Sequence, residues 1–186
     1  MVDHAPELIR TERLTLRKVT SDDLPAMMDI HCDPAANIYR PDKPRSANES
    51  RALLQAWLRD WAEHDIGYWA IEAVTTDETI GFGGLRLTAR DREEVLNLYY
   101  RFRPSSWGQG YASEMATAAM SLAERTRPEP VEVMTTTDNT PSRRVAEKLG
   151  FTIVRSAQED GFTNIYLRRV RNTHSDNRIR ELESPS

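Results

Sequence analysis

The sequence predicts a mixed α/β fold, a single sheet with helices on both faces. Strand-like and helix-like patterns alternate in the order β-α-α-β-β-β-α-β-α-β-β. The β-branched run from Val131 to Thr137 lies behind an Ala-rich helical stretch, so the fourth and fifth strands are joined by a parallel crossover. At 186 residues the chain can build one well-cored domain but not comfortably two.

Leu14-Thr15-Leu16-Arg17 alternates as a first strand. Ser21-Asp22-Asp23 supplies an N-cap and an acidic first turn for a helix through Leu24, Met27, Met28 and Ile30. Pro25 falls in that first turn, where its missing N–H does no harm, and Asp33-Pro34 ends the helix. Pro34, Pro41 and Pro44 stiffen the loop that follows, which also carries Tyr39 and Arg40. Ser46-Ala47-Asn48-Glu49 is a capping box for a second helix. Leu54, Trp57, Leu58 and Trp61 follow at spacings of three and four, an apolar stripe facing the core.

Strands are expected at Tyr68 to Val74, Ile80 to Leu87 and Glu94 to Arg103, with turns at Thr76-Asp77-Glu78 and Arg90-Asp91-Arg92. Gly83-Gly84 inside the second of these predicts a bulge or a close approach by another backbone or a ligand. After a helix from about Ala112 to Glu124 and the strand at Val131, Thr140-Pro141 opens a last helix with proline in its first turn. That helix stops at Gly150. Thr152 to Arg155 and Phe162 to Val170 read as a hairpin. Residues 8–171 are expected to form one domain, and the polar residues 172–186 a disordered tail.

The chain centres on Tyr99-Tyr100-Arg101-Phe102, the stop at Pro104, and Trp107-Gly108-Gln109-Gly110-Tyr111-Ala112-Ser113. A strand, a glycine turn and a helix start gather amide N–H groups at the positive end of a helix. Such a turn is either an ordinary connection or a seat for a phosphate or pyrophosphate. It is neither Gly-x-Gly-x-x-Gly nor a Walker loop.

Formal net charge is −4 with both signs interspersed, which argues against nucleic-acid binding by bulk electrostatics. Cys32 is the single cysteine, so no disulfide framework or cysteine metal cluster is expected. His31 and His64 have no clustered ligands at metal spacing. Without an apolar signal core or a membrane-length window, a cytoplasmic protein is expected.

Four segments resemble the GNAT superfamily of N-acetyltransferases, in particular its ribosomal-protein N-terminal acetyltransferase (Rim-type) branch. They are Thr11-Glu12-Arg13-Leu14-Thr15-Leu16-Arg17, Ile80-Gly81-Phe82-Gly83-Gly84-Leu85, Trp107-Gly108-Gln109-Gly110-Tyr111-Ala112-Ser113-Glu114, and Asn139-Thr140-Pro141-Ser142 with Glu147-Lys148-Leu149-Gly150-Phe151. The likeness spans roughly residues 8–170 in the same order and spacing.

The resemblance implies a GNAT-like acyl-CoA N-acyltransferase fold whose fourth and fifth strands splay apart. Acetyl-CoA would be the co-substrate and no metal would be needed. Its pyrophosphate would lie on amides from Gly108 to Ser113, beside Trp107, Gln109, Gly110, Tyr111 and Ala112. Backbone groups around Tyr100, Phe102 and Arg103 would pair with the pantetheine arm like a strand edge, and one amide would polarise the thioester carbonyl. Asn139 would face the pantetheine from the opposite wall. Arg143 and Arg144 would meet the phosphates or form a solvated helix face.

The superfamily's usual acid, a tyrosine on the last helix, falls on Ala146, so Ser142 is the expected substitute. The glutamates that relatives carry on the fourth and fifth strands fall on Asn97 and Met134, and Glu94 and Glu132 read as surface carboxylates. Ser142 and Asn97 are thus the catalytic candidates, and Tyr39, Arg40 and Arg92 are candidates for the acceptor wall.

An α-amine, with a pKa near 7.7 to 8.0, is roughly a tenth neutral at pH 7, whereas lysine is neutral less than about 0.1% of the time. A site without a strong base therefore favours a protein N-terminus. The alternatives are a small-molecule amine or antibiotic, and a non-catalytic acetyl-CoA sensor. Monomer and homodimer stay open.

Overall fold

The computed structural model describes residues 8–39, 46–159 and 161–169. Strands β1 (Leu8–Arg10), β2 (Leu14–Lys18), β3 (Tyr68–Ala73), β4 (Thr79–Arg90) and β5 (Glu93–Phe102) are successive antiparallel neighbours. Strand β6 (Val131–Thr136) lies parallel to β5, and β7 (Thr152–Glu159) and β8 (Phe162–Arg169) finish one eight-stranded sheet of order β1-β2-β3-β4-β5-β6-β8-β7. Four α-helices flank it among the described residues: α1 (Leu24–His31), α2 (Ala47–His64), α3 (Tyr111–Thr126) and α4 (Thr140–Lys148). None is long and apolar enough to cross a membrane.

The predicted element order holds, with β1 added in front. Its three residues are too few for alternation to show, and it forms by pairing Leu8, Ile9 and Arg10 with Arg17, Leu16 and Thr15. Local chemistry sets the helix ends. Ser46 and Glu49 form a reciprocal capping box on α2, with Ser46 N–H to Glu49 Oε2 at 2.7 Å and Glu49 N–H to Ser46 Oγ at 3.3 Å. The α2 stripe of Leu54, Trp57 and Trp61 is buried, with Leu58 packed at its margin. Asn139 caps α4 by accepting the Ser142 N–H at 3.2 Å. Gly150 ends that helix at φ 82°, a left-handed conformation that favours glycine.

One expectation is resolved and one needs correction. Of the two alternatives at Gly83-Gly84, the close approach holds and not the bulge. A Cβ on Gly83 would lie 2.6 Å from the Tyr99 carbonyl oxygen, and one on Gly84 would lie 2.7 Å from the Trp69 ring. The irregularity sits a few residues away, where Ile80 is the extra residue between the Ile71↔Gly81 and Glu72↔Thr79 pairs. Glu132, read as a surface carboxylate, is only 3% exposed. It is enclosed by Arg90 Nε at 2.9 Å and by Arg168 Nη2 at 2.6 Å, and neither partner is visible from the local pattern of β6.

The feature that positions the site is where β5 and β6 stop pairing. Their register holds only at Leu96↔Val131 and Asn97↔Glu132, while β4 stays paired with β5 as far as Gly81↔Phe102. Beyond Asn97 the two strands diverge, and a cleft opens between them. The expectations for Arg40 and residues 172–186 lie outside the described residues.

Candidate active site

At the mouth of the cleft the chain leaves β5, makes one 3₁₀ turn at Pro104–Ser106 and enters the glycine turn. Gly108 and Gly110 have φ values of 75° and 83°, conformations that a side chain would strain. The first helical bond of α3 runs from the Glu114 N–H to the Gly110 carbonyl at 3.1 Å. Helix geometry therefore leaves the Tyr111, Ala112 and Ser113 amides without intrahelical acceptors, at the positive end of the helix dipole. The Trp107 indole N–H donates to the Phe102 carbonyl at 3.0 Å and ties the turn to the end of β5.

A second layer braces this turn. Glu114 accepts from Thr11 Oγ1 at 2.6 Å, from the Arg13 backbone N–H at 2.8 Å and from Arg13 Nε at 2.7 Å. The same guanidinium donates to the Gln109 carbonyl at 2.8 Å and stacks over the Tyr111 ring. Burial works to raise the Glu114 pKa, but the bonds from Thr11 and Arg13 outweigh it and hold the carboxyl below its ordinary value. The N-terminal Thr11-Glu12-Arg13 segment thus acts as a strut under the turn. Sequence reading matched the segment to a family motif but found no physical job for it.

The turn and the cleft share one cavity of about 560 Å³. Strand alternation divides its β5 wall. Tyr100 faces α4, where its hydroxyl lies 3.0 Å from Ser142 Oγ. Burial pushes the Tyr100 phenol up to about 12, the hydrogen bond with Ser142 opposing the shift.

Asn97, Tyr99 and Arg101 face the side of α1 and α2. The Asn97 amide donates to Tyr68 Oη at 2.5 Å, and its carbonyl accepts from Arg90 at 3.4 Å. Tyr99 Oη is 2.9 Å from Nε2 of His31, which is wholly buried. His31 Nδ1 lies 3.0 Å from the Met27 carbonyl, which only accepts, so Nδ1 carries the proton. In the neutral ring Nε2 then accepts from the Tyr99 hydroxyl.

Of the residues singled out from sequence, Tyr39, Asn97, Tyr100, Phe102, Trp107, Gly108, Gly110, Tyr111, Ala112, Ser113, Asn139 and Ser142 line this cavity. Three do not. The Arg103 side chain turns to the Thr79 carbonyl and Asp29, that of Gln109 turns back to the Ser105 carbonyl, and Arg143 is held by the Thr137 carbonyl and Glu147. Arg92 stands at the exposed tip of the β4–β5 turn, away from the cavity walls. Sequence reading missed the Tyr100 hydroxyl, the Tyr99–His31 pair, and the Asn37–Arg101 pair on the same wall. The alternation of β5 was the one available signal, because it places Tyr99 and Tyr100 on opposite faces.

An acetyltransferase (GNAT) domain model matches residues 13–152. The N-acetyltransferase p20 of Bacillus licheniformis is 26% identical over 147 residues, covering 78% of this chain and 82% of that protein. A GNAT-family acetyltransferase structure from Bordetella pertussis superposes with a TM-score of 0.78 at 19% identity, covering 89% of this chain and 100% of that one. A ribosomal L7/L12 α-N-protein acetyltransferase in complex with coenzyme A superposes with a TM-score of 0.72 at 20% identity, covering 88% and 98%. With the splayed strands, the glycine turn and this match over most of its length, the chain belongs to the GNAT acetyltransferase family and is an acyltransferase.

Proposed function

We propose that the protein transfers an acetyl group from acetyl-CoA directly to a primary amine, and that the amine is a protein N-terminus. The observation that carries this reading is the continuity of the amide-lined turn with the cleft, a single cavity running from Gly108–Ser113 to the unpaired edge of β5.

The residues present fit the donor. Amides of Tyr111, Ala112 and Ser113 suit a pyrophosphate, and the unpaired β5 edge suits the amides of a pantetheine arm. The buried Thr136 hydroxyl, on the opposite wall, has no hydrogen-bond partner among the described residues and suits a polar group in that arm. Acetyl-CoA supplies an activated thioester carbon, and a β5 amide supplies the donor for its carbonyl oxygen. Holding both substrates in one cleft contributes proximity.

The Tyr100 phenol, near pKa 12, is a poor net source of protons for a thiolate whose ordinary pKa is near 8.5. Tyr100 Oη and Ser142 Oγ instead form a two-hydroxyl relay, one accepting the amine proton as the other donates to the departing sulfur. Such a relay moves a proton without abstracting one at pH 7, and that favours an amine already partly neutral. The ribosomal L7/L12 α-N-protein acetyltransferase among the structural neighbours supports the same acceptor class.

The test is thiol release from acetyl-CoA with N-terminal peptides, lysine peptides blocked at the N-terminus, and small amines. N-terminal peptides should outpace lysine peptides by at least about tenfold at pH 7, part of the several-hundredfold difference in neutral amine. Faster turnover of the lysine peptides would overturn the acceptor assignment, and faster turnover of small amines would move it to that class.

A further inference from the structure

Arg101 differs from most of the guanidiniums on the central strands. Arg17, Arg86, Arg90 and Arg168 each reach at least one carboxylate within 3 Å. Half-buried Arg101 lines the cavity, and its polar partner is the neutral carbonyl oxygen of Asn37. Asn37 is only 3% exposed and is itself fixed, its amide donating to the His31 carbonyl at 3.1 Å and to the Asp33 carbonyl at 2.8 Å. Among the described residues the guanidinium is therefore aimed by a neutral clamp, with no carboxylate paired to it. With no counter-charge among the described residues, a partly desolvated cation on the wall of a largely apolar cavity presents a planar fork that suits a carboxylate or phosphate.

Arg101 stands two residues beyond Tyr99 on the same face of β5, about 6 to 7 Å along the strand. This face is the one opposite Tyr100 and Ser142.

We infer that Arg101 is a specificity-determining residue, and that the acceptor is an amine with an anionic group a few bonds away. This rests on the amine-acetylation reading above and narrows it. In a protein N-terminus the anion is an aspartate or glutamate side chain in the first two residues. In a small molecule it is a carboxylate or phosphate on the same skeleton. The cation also repels an ammonium, which favours the neutral, attacking form of the incoming amine.

The experiment measures thiol release by the full chain with peptide pairs that differ only as Asp against Asn, or Glu against Gln, in the first two positions. Amino-carboxylate and amino-phosphate small amines form a second arm, matched with uncharged analogues. The wild type should prefer the acidic member by about tenfold or more in kcat/KM, as one charge-assisted contact provides. Arg101→Gln should abolish that preference and leave the KM for acetyl-CoA unchanged, and Arg101→Lys should restore part of it.

A wild type indifferent to the acidic groups, or an Arg101→Gln enzyme that keeps the preference, would overturn the inference while amine acetylation stood. A rise confined to the acetyl-CoA KM would overturn it too, by assigning the guanidinium to the donor. Thiol release with none of the acceptors would remove the acetylation reading and this inference together. Preference confined to peptides identifies an acidic N-terminus, and preference confined to the second arm identifies a small anionic amine. A melting curve on each variant separates loss of fold from loss of recognition.

Discussion

Tyr100 and Ser142 meet across the cleft from elements 42 residues apart, and the hydrogen bond between them makes a sharp prediction. Ser142→Ala and Tyr100→Phe should each lower kcat for thiol release by roughly 100-fold, the low end of acid–base catalysis, with the melting temperature little changed. The double variant should lose little more than either single one, because the two act as one relay. Wild-type kcat in both single variants would exclude the relay. The pH dependence follows from the sign of the Tyr100 shift. Its folded pKa is raised to about 12, so the phenol keeps its proton wherever the acceptor amine titrates. The rate with an α-amine should rise through about pH 7.7 to 8.0 and stay level to about pH 10. The stability tied to the neutral phenol is fully present below its ordinary pKa near 10 and declines from there towards pH 12.

At the level of elements, the start of α3 depends on a strut from the other end of the chain. Arg13→Ala should raise the KM for acetyl-CoA by about tenfold and leave the acceptor KM alone, since Arg13 holds both Glu114 and the Gln109 carbonyl. Steady-state kinetics with each substrate varied in turn checks this, and a change in the acceptor KM alone would contradict it. The bonds to Glu114 depress its pKa, so the strut is complete above the ordinary carboxylate range and fails only as pH falls through the lower folded value. The Arg13 strut's contribution to acetyl-CoA binding, measured as the wild-type to Arg13→Ala ratio of KM, should therefore be insensitive to pH between about 5 and 7. Gly110→Trp should abolish thiol release. It places a large side chain at φ 83°, and its Cβ alone would stand 3.4 Å from Arg13 Nη2. The glycine turn, the capping box of α2 and the glycine that ends α4 were legible in the sequence because a turn or a cap is chemistry among neighbours. The strut was not, because Arg13 and Glu114 lie 101 residues apart.

For the molecule as a whole, the cleft depends on the last point where β5 and β6 are still joined. Glu132 sits there, buried between Arg90 of β4 and Arg168 of β8, and Arg90 in turn reaches Asn97. Glu132→Ala would leave the Arg90 guanidinium without its carboxylate and facing Arg168, which keeps only the more exposed Glu93. The cost should be about 2 to 3 kcal/mol, less than for a fully buried pair because both arginines are about a quarter exposed. For a domain of this size the melting temperature should fall by roughly 5 to 10 °C, and an unchanged melting curve would show that the cluster is dispensable. The sequence alone determined the order of elements, the capping box of α2, the glycine stop of α4 and the glycine turn before α3, since each follows from periodicity or turn chemistry within a few residues. It also carried the family likeness that the domain match bears out. Only the tertiary structure decided that the strands part after Asn97, that Glu132 is buried, that Tyr100 rather than Asn97 stands beside Ser142, and that Arg101 lines the cavity with no carboxylate partner among the described residues. Each of those depends on the register between strands distant in sequence, and a pattern read along one strand contains no information about what lies across from it.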